Sequence, residues 1–138
     1  MRILALDPGS KRVGVAVSDE TKTIAQPLEA ITAEPFAALL ARLKELFVEK
    51  EVDLVLIGLP RNMNGSYGQA AQEAEAFGAA LKGAITIPDE MWDERLTTVQ
   101  ANRILAQGGV RRRKRKDMAD KMAAAILLQS YLDVRNRT

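Results

Sequence analysis

The chain has 138 residues, 47% of them hydrophobic and 28% charged, enough to bury roughly two thirds of its unfolded surface as one small domain and too few for a multidomain assembly. It contains neither Cys nor His, which excludes disulfides, thiol nucleophiles, Cys-ligated zinc and iron–sulfur sites, any Ser/His/Asp triad and the commonest transition-metal ligand. The formal charge of +2 hides a division: Arg111, Arg112, Arg113, Lys114, Arg115 and Lys116 form one basic run, and the rest of the chain holds 14 bases against 18 acids, a net of −4.

The start of the chain reaches Asp7 before an apolar core of signal-peptide length can form, and no stretch approaches the roughly 20 apolar residues that cross a bilayer. A soluble cytoplasmic protein is the expectation. Residues 3–6 and 13–18 are short apolar runs joined by a turn-rich segment, which predicts a β-hairpin. Within the second run Val13, Val15 and Val17 share one face, with Gly14, Ala16 and Ser18 on the other. A third strand is expected near residues 24–31, with Pro27 arguing for a sheet edge or an interruption.

From Pro35 the period changes. Phe36, Leu39, Leu40, Leu43, Leu46 and Phe47 recur at helical spacing, and residues 53–59 then read as a strand buried on both faces and paired in parallel. After a loop at 58–65, Ser66 and Gln69 match a capping box for a helix whose apolar stripe is Ala70, Ala71, Ala74, Phe77 and Leu81. Residues 84–87 are the next strand candidate and 89–94 an acid-rich stretch. Thr97 and Gln100 form a second capping box, predicting a helix from about Thr98 to the Gly108–Gly109 pair. The basic run then reads as a loop, followed by a last helix over about 117–133 whose centre is apolar all round and therefore buried. The sum is one mixed α/β domain, residues 1–138, with an antiparallel hairpin first, parallel additions after it, and helices on both faces.

Without His, proton transfer or metal binding must run on Asp and Glu, with Lys or Tyr as lesser candidates, and carboxylates suit hard cations such as Mg²⁺ and Mn²⁺. Asp7 stands where a core strand stops, either as a rigidly held functional carboxylate or as a partner for backbone donors of the turn. Glu94 lies between a strand and a capped helix, and pattern alone does not separate it from Asp89, Glu90 and Asp93. Asp117 and Asp120 share one side of the last helix, where the capping role that the helix dipole favours fits Asp117 better. Asp120 precedes the apolar centre, so its side chain could turn inward toward Asp7, with Ala124 leaving room. Carboxylates gathered in one site repel unless a cation is present, and paired Mg²⁺ or Mn²⁺ ions can activate water for phosphodiester hydrolysis without His. The basic run just ahead of Asp120 is either a solvated loop or a phosphate-binding segment of sequence-independent, salt-sensitive affinity.

Four segments in order, DPGSKRVGVA at 7–16, IGLPRNMNGS at 57–66, DERLTT at 93–98 and DKMAA at 120–124, resemble the bacterial Holliday-junction-resolvase-like family of pre-16S rRNA nucleases over essentially the whole chain. The resemblance implies an RNase H-like fold, a divalent metal, and maturation of the 5′ end of 16S ribosomal RNA, with DNA four-way-junction cleavage as the alternative substrate. By motif, Asp7, Glu94 and Asp120 would be the metal-binding catalytic carboxylates, and Lys11, Arg12, Asn62, Arg95 and Thr98 candidate substrate contacts. Asp117 stands where a non-acidic residue is expected, and Asn64 where Asp is frequent.

Three function classes therefore compete. A metal-dependent nuclease, monomeric or a two-fold dimer on nucleic acid, leads. A non-catalytic ribosome-assembly factor would depend on the basic run and not on metal. A phosphotransferase of the actin-like type needs two such domains, and this chain supplies one.

Overall fold

The hairpin and a parallel addition form the middle of the sheet. In the computed structural model, which describes residues 1–9, 11–59, 68–93 and 112–136, β1 (Arg2–Pro8) runs antiparallel to β2 (Arg12–Ser18), with Asp7 opposite Gly14. β3 (Ala25–Thr32) pairs antiparallel with β2 as an edge strand. Pro27 sits opposite Ala16, where the register slips between Val15 and Ala16, because a residue without an N–H cannot complete the ladder.

α1 (Phe36–Glu49) carries the chain across the sheet to β4 (Val52–Leu59), which lies parallel to β1. α2 (Gln69–Lys82) leads to β5 (Asp89–Asp93), parallel to β4, for a final order of β3-β2-β1-β4-β5. The last element is α3 (Arg112–Arg135). Among the described residues no helix is long and apolar enough to cross a membrane.

Strand parity divides the core in two. Leu4, Leu6, Val13, Val15, Val55 and Ile57 face α1 and α2, meeting Leu39, Leu43, Leu46, Phe47 and Leu81. Ile3, Ala5, Ala16 and Leu56 face α3, meeting Ala124, Leu127, Leu128 and Leu132. Each of those three leucines is fully buried and contributes about 1.5–3 kcal/mol of apolar transfer, which fixes α3 on its face of the sheet. Met122 and Ile126 are only half-buried, so α3 is buried along one face and not all round.

Three boundaries differ from expectation. Residues 84–87 are a connection and not a strand, because the amides of Ala84 and Ile85 donate to the Leu81 carbonyl in closing α2. Pairing resumes only where Val55 donates to the Pro88 carbonyl, and the acid-rich stretch itself becomes β5. α2 begins at Gln69 behind an N-cap at Gly68, so Gln69 is too early to complete a box with Ser66, which lies outside the described residues. Its amide reaches Glu73 instead.

The third difference concerns the basic run. Residues 112–116 are the opening turns of α3 and not a loop. Arg and Lys are good helix formers and no Gly or Pro separates them from the apolar centre, so the helix propagates through the charge run. The predicted helix over 98–108 and its capping box lie outside the described residues.

Candidate active site

β1, β4 and β5 run in parallel, so their C-terminal ends, together with the start of β2, lie along one edge of the sheet. Open α/β sheets place functional groups at that edge, where side chains project from a rigid backbone while the connecting segments diverge. The turn between β1 and β2 is drawn tight by the Gly9 amide on the Arg12 carbonyl at 3.0 Å, and the Ala33 amide on the Lys11 carbonyl at 2.8 Å ties it to the entry of α1. Gly9 is required there, since a Cβ would lie 2.7 Å from the Arg12 carbonyl oxygen. Lys11 is exposed on this turn.

Asp7 shares its strand face with Ile3 and Ala5, the face covered by α3. Opposite it, Gly14 lies directly under the backbone of α3. A Cβ at Gly14 would stand 2.5 Å from the Asp120 carbonyl carbon and 3.3 Å from its Cα, closer still to its oxygen. Helix and sheet can approach this closely only because the residue is glycine. The consequence is chemical: Asp120 is held over the strand position that pairs with Asp7.

The start of α3 at Arg112 also changes how its acids are read. No acid stands in the first turn of α3, and Asp120 is more than two turns inside. The helix dipole acts within the first turn, so a capping role does not account for Asp120, and Asp117 likewise falls behind the first turn. Asp120 instead accepts an ion pair from Arg12, with Nε to Oδ2 at 2.9 Å.

Two contacts fasten the other side of α3 to β5. The Trp92 indole N–H donates to Ser130 Oγ at 3.0 Å, and the Tyr131 hydroxyl donates to Glu90 at 2.9 Å. The Trp92 and Tyr131 rings meet edge to face at 5.1 Å. Burial, and secondarily the Glu90 carboxylate, raises the Tyr131 phenol above its ordinary pKa. Glu90 is thereby a structural partner, and the strand that ends at Asp93, immediately before Glu94, is locked to the helix that bears Asp120.

The structure thus pairs Arg12 with Asp120 and seats the Asp120 backbone over Gly14, the strand partner of Asp7, with Lys11 on the adjoining turn. Glu94, Asn62, Arg95, Thr98 and Arg111 lie outside the described residues. Among the described residues no group of three metal-capable side chains is gathered, but the donors that are present are carboxylate oxygens on rigid elements, which suits a hard divalent cation. Sequence reasoning missed Gly14 as the residue that admits Asp120. Its signal was a glycine between two valines inside a strand, a mark of close backbone approach.

Comparison with known proteins gives the family and the fold. A family model described as "RuvX: Holliday junction resolvase" matches residues 1–134. A protein of Pelotomaculum thermopropionicum named "Putative pre-16S rRNA nuclease" is 45% identical over 138 residues, covering 99% of this chain and 90% of the relative. A Listeria innocua protein of the same name is 46% identical over 138 residues, covering 99% and 100%. Among solved structures, T. thermophilus RuvC in complex with a Holliday junction substrate aligns with a TM-score of 0.55 at 20% identity, covering 100% of this chain and 97% of that one. The Fowlpox virus resolvase in complex with Holliday junction DNA aligns with a TM-score of 0.57 at 12% identity, covering 98% and 99%. These two likenesses show the fold, the expected RNase H-like one.

Proposed function

The chain belongs to the RuvX family of Holliday junction resolvase-like proteins, and from that premise we propose that it is a divalent-metal-dependent nuclease that hydrolyses phosphodiesters in the 5′-end maturation of pre-16S rRNA. The observation that carries the reading is the seating of Asp120 against Gly14, opposite Asp7. Packing of α3 on the sheet needs no second carboxylate there, whereas cation binding does.

Hydrolysis adds water across the phosphodiester, so a nucleophilic oxygen must approach phosphorus opposite the departing sugar oxygen while negative charge accumulates on the phosphoryl group. Asp7, Glu94 and Asp120 are the residues that would hold Mg²⁺ or Mn²⁺. Such cations, when bound, neutralise phosphate charge and lower the pKa of water. The chain's own bases do the binding: Lys11, Arg12, Arg95 and the run of Arg111, Arg112, Arg113, Lys114, Arg115 and Lys116 engage backbone phosphates, while Asn62 and Thr98 supply neutral hydrogen bonds. Placed at the N-terminal end of α3, where the helix dipole already favours an anion, the basic run and the dipole attract phosphate together. One domain spanning 1–138, acting in the cytoplasm as a monomer or homodimer, completes the reading.

Asp7→Asn tests it, offered pre-16S RNA and a four-way DNA junction side by side in Mg²⁺ or Mn²⁺. The expected outcome is loss of RNA cleavage with the melting temperature and RNA binding retained. A variant that cuts as fast as the parent refutes the carboxylate assignment, and a parent that cuts only the junction replaces the RNA substrate by DNA.

A further inference from the structure

Arg12 stands between the two halves of the site. Its turn position suits a phosphate, yet its Nε–H is committed to Asp120 Oδ2 at 2.9 Å, a carboxylate whose position suits a cation. Both side chains keep about a third of their surface exposed, 31% and 34%, so ions and water reach the pair. The partners differ in freedom. Asp120 is short, and its backbone is wedged on Gly14 with Ala124, Leu127 and Leu128 anchoring the turns that follow. Arg12 is long and springs from the first residue of β2 beside an exposed turn. If the pair parts, Arg12 is the member that moves.

We propose that Arg12 is an exchangeable counter-ion. Without a divalent cation it neutralises Asp120; a cation that takes Asp120 releases the guanidinium to the substrate phosphate. The inference rests on the proposed role of Asp120 as a cation ligand and adds a coupling to it. A carboxylate oxygen serving a cation loses its attraction for the guanidinium, and a guanidinium freed beside the site presents a planar fork that matches phosphate. Coupling of binding free energies is reciprocal, so a phosphate that captures Arg12 also raises cation affinity at Asp120. A residue that merely held Asp120 in place for the cation would act with the opposite sign, its loss weakening cation binding.

The test uses the full chain without nucleic acid. Mn²⁺ is titrated while the electron-spin-resonance signal of the free ion reports binding, for the parent, Arg12→Gln and Asp120→Asn. Arg12→Gln is expected to bind Mn²⁺ about two- to fivefold more tightly, the range that loss of a partly exposed ion pair represents, and Asp120→Asn more weakly. In parallel, the Arg12 Nε–H resonance of the ¹⁵N-labelled parent, protected from exchange by Asp120, is expected to lose that protection on adding diamagnetic Mg²⁺. This second readout separates displacement from the simple removal of a positive charge, and needs no variant to fold. Unchanged or weaker Mn²⁺ binding by Arg12→Gln, or an Nε–H that stays protected at saturating Mg²⁺, overturns the exchange. A parent that binds no Mn²⁺, or an Asp120→Asn that binds as the parent does, overturns the cation-ligand reading and the exchange with it.

Discussion

Adding one methyl group at Gly14 should push Asp120 away from the strand position opposite Asp7. In Gly14→Ala the new Cβ would stand 2.5 Å from the Asp120 carbonyl carbon, against a shortest ordinary separation of 3.0 Å for real Cβ atoms, and the still closer carbonyl oxygen must retreat by about 1 Å. Neither side yields cheaply. Gly14 is in the middle of β2, paired to Asp7 on one side and Ala30 on the other, and the obstructing atoms are helix backbone backed by fully buried leucines. Overpacking of this kind costs about 1–3 kcal/mol; a loss of about 2 kcal/mol lowers the melting temperature of a chain this size by roughly 6–10 °C. On the role proposed for Asp120, displacing it by about 1 Å costs on the order of 100-fold in rate. The assay is thermal melting by circular dichroism together with cleavage of pre-16S RNA. A Gly14→Ala protein that melts within about 2 °C of the parent and cleaves within about threefold of its rate would refute the account of why Asp120 sits where it does.

Two stability predictions follow from the described hydrogen bonds. Ser18 is 2% exposed and its hydroxyl accepts the Ile3 amide at 2.9 Å, so Ser18→Ala leaves a buried donor unpaired and should cost about 1–3 kcal/mol in urea unfolding; an unchanged midpoint would contradict this. Asp19 closes the β2–β3 turn, accepting the Thr23 and Ile24 amides and the Thr21 hydroxyl. The Thr21 hydroxyl first, then the Ile24 and Thr23 amides, lowers its pKa from 3.8 to about 2. A carboxylate whose folded pKa lies below its unfolded value stabilises above the unfolded value and loses that contribution as pH falls through the folded one. Asp19→Asn should therefore melt with a flatter pH dependence than the parent between pH 3.8 and about 2, and superimposable profiles would sink the assignment.

Much of this protein is legible without coordinates where the information is local. Two short apolar runs at 3–6 and 13–18 around a turn-rich segment specify a hairpin, Pro27 argues for an edge or an interruption because it lacks an amide proton, and the stripe from Phe36 to Phe47 specifies a helix in which Leu39, Leu43, Leu46 and Phe47 are buried and Phe36 and Leu40 pack partly buried beside them. Where reading failed, a nonlocal or competing commitment was at work. Ile85 and Ile87 look like strand residues, but the amides of Ala84 and Ile85 are already spent on the end of α2. Residues 112–116 look like a solvated loop because charge runs usually are, yet their helix propensity carries α3 through them.

Composition alone removed Cys and His chemistry and left Asp and Glu as the leading candidates, with Lys or Tyr behind them, and periodicity pointed to a mixed α/β domain with an antiparallel start. Only tertiary structure decided which acid lies over the strand position that pairs with Asp7. Glu90 is as acidic as Asp120, but a strand-to-helix contact binds it to the Tyr131 hydroxyl. Asp117 and Asp120 lie one turn apart, but the approach of α3 to Gly14 singles out Asp120. Even the pairing of Arg12 with Asp120, 108 residues later in the chain, has no trace in local pattern. Proximity of this kind depends on which backbone surfaces can close on each other, and a missing Cβ at one strand position is the physical feature that set it.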